Sequence, residues 1–472
     1  LDLYVENADT EDPCRFFTER FHLPTRLNGS GIRSITSIRI PTYMGNLMTV
    51  IPKMIDWQDS NGKLHAGLCK SLTKVIGGNS FTDNTTDWST FINNSPDGRL
   101  FAKFWKEMQD QVNLAPEEHV SKILSSSADK AGNGQIYDSP RTLFQHALTA
   151  ELEKATHARL LKEAIEMTDK LGADEFKDNF RNPNAMIRQY ISFLQVDSIS
   201  RIWMNQVPKK DTHLLSATDL HSAYATIFGQ PDKLFAQHEG LKFLNRTLDP
   251  HGDHLALVNF QGTQHWNVVH TTVKLLIAKW LRIAEIPHTV EPYGLFTSCI
   301  PQAVYEGIPI PDRQALVPDF LIDERMCELK RIGPAFSHYK HTNARSRHQP
   351  VHTRAAQIVK EYSTKADKSD EAYNNTTQET APGPIRTRLN EYLPGMLKFV
   401  FGTFYECSKD FHDLVKKITN TLAETKWRDQ NFQSQHACRT FYSYVIQKDL
   451  SLCIVRQTCW MKRDRLGLAC HN

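Results

Sequence analysis

The chain has 472 residues, with 56 Lys and Arg against 53 Asp and Glu for a formal charge of +3, and at ~150 residues per domain its length allows about three domains. Apolar residues make up 40% and charged residues 23%, with 22 Gly and 22 Pro, which excludes collagen, wholesale disorder and a polytopic membrane protein. The near balance of charge means that any basic surface must be local.

Nine cysteines lie irregularly between Cys14 and Cys470. That pattern is not a disulfide framework, and it points to an intracellular chain whose thiols are mostly free. Asn84, Asn245 and Asn375 stand in glycosylation-acceptor triplets, but the triplet is common by chance and no secretory signal supports it. No apolar run approaches the ~20 residues of a membrane helix, so no membrane partner is expected. The start, LDLYVENADTEDPC, is acidic and unlike a targeting peptide. A chain that opens on Leu1 is read as a piece of a longer polypeptide.

In chain order, Pro24, Gly29 and Gly31 mark turns ahead of an apolar-rich stretch, Ile35 to Ile51. Phe144, Leu148, Leu152, Ala155 and Leu161 then recur at helical spacing, predicting an amphipathic helix between Leu143 and Leu171 that Gly172 stops. Helical texture continues from Asn182 to Phe243, and Ser216-Ala-Thr-Asp219 predicts a helix entry before His221. Val269, Val273, Leu276, Ile277, Trp280, Leu281 and Ala284 predict a core-packed helix ended by Pro287. The β-prone piece His288–Glu291 follows. LVPDFLI and MCELKRI, split by Asp323, Glu324 and Arg325, predict a hairpin. Thr353 to Tyr373 reads as helix, Asn374 to Pro384 as a linker, and Ile385 to Asn472 as an extension with the apolar run GMLKFVFGTF and further helix.

The hairpin carries the chemistry. Strand side chains alternate faces, so Glu328 and Lys330 point the same way and Leu329 the other. With a two-residue turn, Ile322 sits opposite Arg325 and Asp319 opposite Glu328. Two adjacent carboxylates repel unless a proton or cation lies between them, and carboxylate oxygens suit Mg²⁺. Lys330 is placed to orient a metal-bound water or to stabilise a phosphoryl transition state. Between Lys330 and Lys360 there is no Asp or Glu, while Arg331, Lys340, Arg345, Arg347 and Arg354 are interspersed with histidines. Such a stretch suits phosphate neutralisation, and equally a solvated basic face. A second cluster, Asp249-Pro-His251-Gly-Asp253-His254, lacks the cysteines of a structural zinc site. Zinc is therefore disfavoured, and a turn with side chains on local backbone groups is expected.

The order DPHGDH, VHTTVKLLIAKWL, TVEPYGLF, VPDF and CELKRI resembles the restriction-like endonuclease region that follows the reverse transcriptase in LINE-type retrotransposon polyproteins. HLPTRLNGSGIRSI is similar to the stretch after the polymerase palm, and ARSRHQPVHTRAAQIVKEY and GPIRTRLNEYLPGMLKFVFGTFYECSKDFHDLV are similar to segments of reverse-transcriptase-associated proteins. The resemblance implies an α+β chain: a largely helical N-terminal region, a small α/β PD-(D/E)xK restriction-endonuclease-like domain and a helical C-terminal piece. The implied divisions are a thumb/connection-like region over 1–142, a helical region over 143–240, the nuclease over 241–373, the linker over 374–384 and the extension over 385–472.

By the same resemblance, Asp319 matches the PD aspartate, Glu328 and Lys330 the ExK pair, and His270 the histidine of an Arg-His-Asn helix start. Glu291 is a further acidic candidate and Gln349 a candidate for aligning substrate or metal-bound water. Asp319 and Glu328 would hold Mg²⁺ or Mn²⁺. His270, Lys274, Arg331, Lys340, Arg345, Arg347 and Arg354 would meet nucleic acid. Val269 and Thr271 replace the family's Arg and Asn, and the knuckle cysteines are absent. The implied activity is nicking of target DNA to prime reverse transcription in the nucleus. Its implied partners are the DNA target, an RNA template and an upstream polymerase region. No paired catalytic aspartates of a polymerase appear in the chain.

Overall fold

The computed structural model describes residues 11–33, 42, 140–170, 185–205, 214–244, 246–257, 265–307, 316–333, 336–339, 349–377 and 382–471. Contacts divide the chain into two units, Leu1–Phe17 with Leu161–Asn472, and Thr18–Leu160. Within the smaller unit, Glu153 takes Arg26 at 3.0 Å and Arg33 at 2.8 Å, and Arg159 meets Glu19 at 2.6 Å.

Helix dominates the described residues of the larger unit, around one four-stranded sheet, so the fold is mixed α+β. Ser216 caps the helix Ala217–Phe228 by accepting the Asp219 amide at 3.0 Å, as the Ser216–Asp219 spacing predicts. A two-stranded ribbon pairs β1 (Lys242–Phe243) with β2 (Arg246–Thr247). The helix expected around Val269–Ala284 runs over His265–Ile283, with Val273, Ile277 and Leu281 buried along one stripe. It ends where Glu285 turns left-handed at φ 57° and the Ile286 amide reaches back to the Leu281 carbonyl at 3.0 Å, just before Pro287.

The sheet runs in the order β3 (His288–Val290), β4 (Phe320–Ile322), β5 (Arg325–Arg331) and β6 (Leu397–Phe401). β3, β4 and β5 are antiparallel in turn, and β6 lies parallel to β5. Ile322 pairs with Arg325, so the hairpin turn is the two residues Asp323 and Glu324, at φ 45° and 62°. Positive φ at both centres is the turn geometry whose twist matches a right-twisted hairpin.

Alternation along the strands divides the core. Met326 and Val400 join Val351, Ile358, Tyr362, Ile385 and Leu389 in one cluster, which places the helices Gln349–Thr377 and Pro384–Tyr392 on that face. On the other face Phe399 meets Phe411 of the helix Lys409–Lys426, with ring centroids 5.8 Å apart. The long helix Gln435–His471 packs on Lys409–Lys426 and on His265–Ile283. No helix among the described residues is long and apolar enough to cross a membrane.

Two boundaries differ from the sequence expectation. Residues 374–377 of the expected linker are helical, because the helix Gln349–Thr377 continues through them. Its Asp370 accepts the Ile385 and Arg386 amides at 3.0 and 2.7 Å, closing the N-terminus of the next helix. The C-terminal extension is also part of the sheet, since β6 hydrogen-bonds to β5. A non-glycine residue in left-handed conformation costs roughly 1–2 kcal/mol. Glu324→Gly should therefore raise stability by about 0.5–1 kcal/mol, read as an increased urea midpoint at unchanged m-value.

Candidate active site

Three carboxylates lie in a row where β3 and β4 end beside the middle of β5. Val290 pairs with Phe320, and one step further the Glu291 amide donates to the Asp319 carbonyl at 3.0 Å. Phe320 pairs with Cys327, so the same step sets Asp319 across from Glu328. Residues directly opposite one another in an antiparallel pair share a face. Glu291 and Asp319 thus lie one residue beyond the ends of β3 and β4, and Glu328 lies in the middle of β5. Glu291 leaves the expected strand here, at φ 49°, a conformation that costs energy unless the surroundings hold it.

Each carboxylate has a fixed set of partners. Asp319 Oδ2 accepts the Leu329 amide at 2.9 Å and the His270 Nε2 proton at 3.1 Å. His270 Nε2 also lies 3.1 Å from the Leu329 carbonyl; a carbonyl only accepts, so the ring proton sits on Nε2. Lys274 Nζ bridges Asp319 Oδ1 at 3.3 Å and Glu291 Oε1 at 2.5 Å. The Tyr293 hydroxyl donates to Glu291 Oε2 at 2.9 Å. Lys330 pairs with one oxygen of Glu328, and the Tyr362 hydroxyl donates to the other at 2.7 Å.

The helix His265–Ile283 supplies His270 and Lys274 from one side, and the helix Gln349–Thr377 supplies Tyr362 from the other. Asp319 and Glu328 are closed to solvent, whereas Glu291 and Lys330 beside them are part-exposed. The Asp319 and Glu328 side chains are 9% and 6% exposed, against 31% for Lys330 and 40% for Glu291.

Burial raises the Asp319 carboxyl, but His270, the Leu329 amide and Lys274 outweigh it and hold Asp319 below the ordinary aspartate value. Burial, followed by the charge of Asp319, pushes Glu328 up against the pull of Lys330 and Tyr362. The Lys274 contact and the Tyr293 hydroxyl hold Glu291 down. Burial works against the Lys274 ammonium, yet its two carboxylates keep it above the usual lysine value. Adjacent acids in one row are thus driven apart in proton affinity, as acid–base sites often are.

The fold brings together Asp319, Glu328, Lys330, Glu291, His270 and Lys274. Lys274, expected to face nucleic acid, is 5% exposed and engaged with the acids. Arg331 lies on the opposite face of β5 from Lys330. Its guanidinium is 4.5 Å from the Trp266 ring centroid, and burial brings its pKa down to about 10. Arg354 is tied to Glu361 on its own helix. Gln349 opens the helix Gln349–Thr377, but its side chain lies outside the described residues, as do Lys340, Arg345 and Arg347. Tyr362 and Tyr293 were not singled out by sequence. In the structure Tyr362 belongs to the buried cluster with Ile358 and Ala366.

The DPHGDH segment forms a turn. Asp249 accepts the amides of His251, Asp253 and His254 at 2.9, 3.1 and 2.7 Å. Gly252 sits at φ 66°, and a Cβ there would meet the Phe235 ring at 2.7 Å. Asp253 is paired with Arg188, whose Nη2 lies 3.1 Å from Oδ1, and His251 Nδ1 is 3.0 Å from the Gln230 carbonyl. These side chains are engaged with backbone and an arginine.

The chain matches no protein-family model, no curated protein and no solved structure. The site is therefore read on its own chemistry. Lys274→Met would leave Asp319 and Glu291 facing one another without their shared ammonium. Breaking a fully buried pair costs about 3–5 kcal/mol, and the exposure of Glu291 reduces this to about 2 kcal/mol at pH 7. Both acids are depressed in the folded state, so their contribution is present above the unfolded carboxylate pKa of ~4 and is lost as pH falls through the folded values. Urea titrations should show the difference between wild type and variant shrinking toward zero as pH is lowered from 7 to below 4.

Proposed function

We propose that this chain is a divalent-metal-dependent DNA endonuclease segment of a retroelement reverse transcriptase polyprotein, with a PD-(D/E)xK-type site at Asp319, Glu328 and Lys330. The observation that carries the reading is the placement of Asp319, just ahead of β4, beside Glu328 of β5, with Lys330 on the Glu328 face and part-exposed. Ionised groups are expensive inside a strand pair unless they are used or neutralised.

The donor set suits Mg²⁺ or Mn²⁺. Among the described residues no three His, Cys, Asp or Glu side chains converge as a ready cage, but Mg²⁺ commonly takes only one or two carboxylates and keeps several waters. Asp319 and Glu328 would hold the ion, and Glu291 stands next in the row. A bound divalent ion lowers the pKa of its water and offsets charge on a phosphoryl oxygen.

The chain's own groups have separate tasks. Asp319 stays ionised because His270 and the Leu329 amide fix it. Burial and the charge of Asp319 raise the Glu328 carboxyl, and a bound cation would offset both. Lys330, released from Glu328, neutralises the phosphate oxygen as water adds to phosphorus and the 3′ oxygen leaves as a hydroxyl. A free 3′-OH is the product that primes reverse transcription. DNA is the proposed substrate, and the upstream polymerase region and its RNA template are the proposed partners.

One observation favours a second reading. Lys274 and Lys330 already neutralise the row, as a site that only binds nucleic acid through surrounding basic groups would also show. Salt-dependent DNA binding with no metal-dependent cleavage is the expected behaviour of that module.

The full chain should nick supercoiled plasmid in Mg²⁺ or Mn²⁺, and Asp319→Asn, which retains an oxygen for the Leu329 amide, should lower the rate by ~100-fold or more. Parental activity in this variant would remove Asp319 from the site. Because burial and Asp319 raise the Glu328 pKa, the acid limb of the rate profile should fall above the ordinary glutamate value of ~4.3, with rate increasing as pH rises through it.

A further inference from the structure

A groove of about 340 Å³ opens beside the acid row, with Tyr293, Thr297, Ser298, Gln302, Tyr305 and Val317 among the residues that line it. Two of its walls continue directly into the row. Tyr293 is two residues beyond Glu291 and Val317 two residues before Asp319. Its volume is at the small end of the ~300–1,000 Å³ typical of ligand pockets. None of its lining residues carries a charge. A phosphate has no counter-ion there, whereas a flat neutral ring with polar edges finds aromatic walls together with the hydroxyls of Thr297 and Ser298 and the carboxamide oxygen of Gln302, whose nitrogen donates to Glu306 at 3.0 Å.

Tyr293 is the most exposed large apolar or aromatic side chain among the described residues, at 75%. It is nonetheless anchored, since its hydroxyl donates to Glu291 Oε2 at 2.9 Å. The ring is thus held by its polar tip at the acid row while its faces stay open. An aromatic ring held so loses little freedom when a second ring stacks on it.

We infer that this groove receives an unpaired nucleobase adjacent to the phosphodiester at the acid row, with Tyr293 as its stacking platform. The inference rests on the nuclease reading for its substrate class and adds the strand state to it. A base in a stacked duplex must be pulled out at a cost of a few kcal/mol before it can enter such a groove. Single-stranded or locally unpaired nucleic acid is therefore preferred over intact duplex.

The test is binding of the full chain, in EDTA, to a single-stranded oligonucleotide containing 2-aminopurine, to its RNA equivalent and to the matching duplex. Stacking on Tyr293 should quench the probe, and the single strands should bind more tightly than the duplex. Tyr293→Ala should weaken single-strand binding about tenfold and abolish the quench, whereas Tyr293→Phe, which keeps the stacking face but loses the anchor to Glu291, should keep the quench and weaken binding by only about threefold. The high exposure of Tyr293 means neither change disturbs the core. Unchanged affinity and quench in Tyr293→Ala, or an equal loss in Tyr293→Phe, would overturn the inference. No metal is present, so a protein that stacks the base but never cuts would refute the nuclease reading and leave the groove assignment intact. A protein that cuts through Asp319 yet ignores Tyr293 would do the reverse.

Discussion

Three carboxylates, two just beyond the ends of β3 and β4 and one within β5, lie together, and two ammonium groups reach them from different elements. Lys274 comes from the helix His265–Ile283 and bridges Glu291 and Asp319, while Lys330 comes from β5 itself and covers Glu328. Coulomb repulsion between like charges a few ångströms apart in a poorly solvated site amounts to several kcal/mol. The pairing of β3, β4 and β5 beside these acids consequently depends on those cations. The hydrogen bonds from the Leu329 amide and His270 to Asp319 make the central acid the best fixed of the three.

The two helical contacts give the row its asymmetry. His270 and Lys274 hold the Asp319 carboxyl low, whereas Glu328 is set against the buried Tyr362 hydroxyl and the charge of Asp319 and is driven up. One acid is therefore committed to the charged state and its neighbour is responsive to pH. The groove beyond Tyr293 extends this arrangement from charged chemistry to an uncharged surface without a break in the chain.

Much of this was legible from local pattern. The apolar repeat from Val269 to Ala284 marks its helix because a buried stripe imposes a 3.6-residue period, and the two residues between Ile322 and Arg325 fix the hairpin register, hence the Asp319–Glu328 pairing. What was not legible depends on distant segments or on conformations no motif announces. Lys274 looks like any solvated lysine until its helix is laid against β3 and β5. The parallel addition of β6 to β5 joins residues about seventy positions apart, which short-range periodicity does not encode. Glu291 lies in a β-prone run, yet a turn at positive φ is what aims it along the row. Arg331 reads as part of a basic surface, but strand alternation sends it to the opposite face, against Trp266.

The central claim is that Asp319 and Glu328 form one cation site, and binding of Mn²⁺ to the full chain, followed by electron paramagnetic resonance at pH 7.5, tests it most directly. Saturable binding that is lost in Asp319→Asn and in Glu328→Gln, and unaffected by Arg354→Gln on the neighbouring helix, is the result this account requires. Mn²⁺ binding that is identical in all four proteins, or absent from the parent chain, would contradict it.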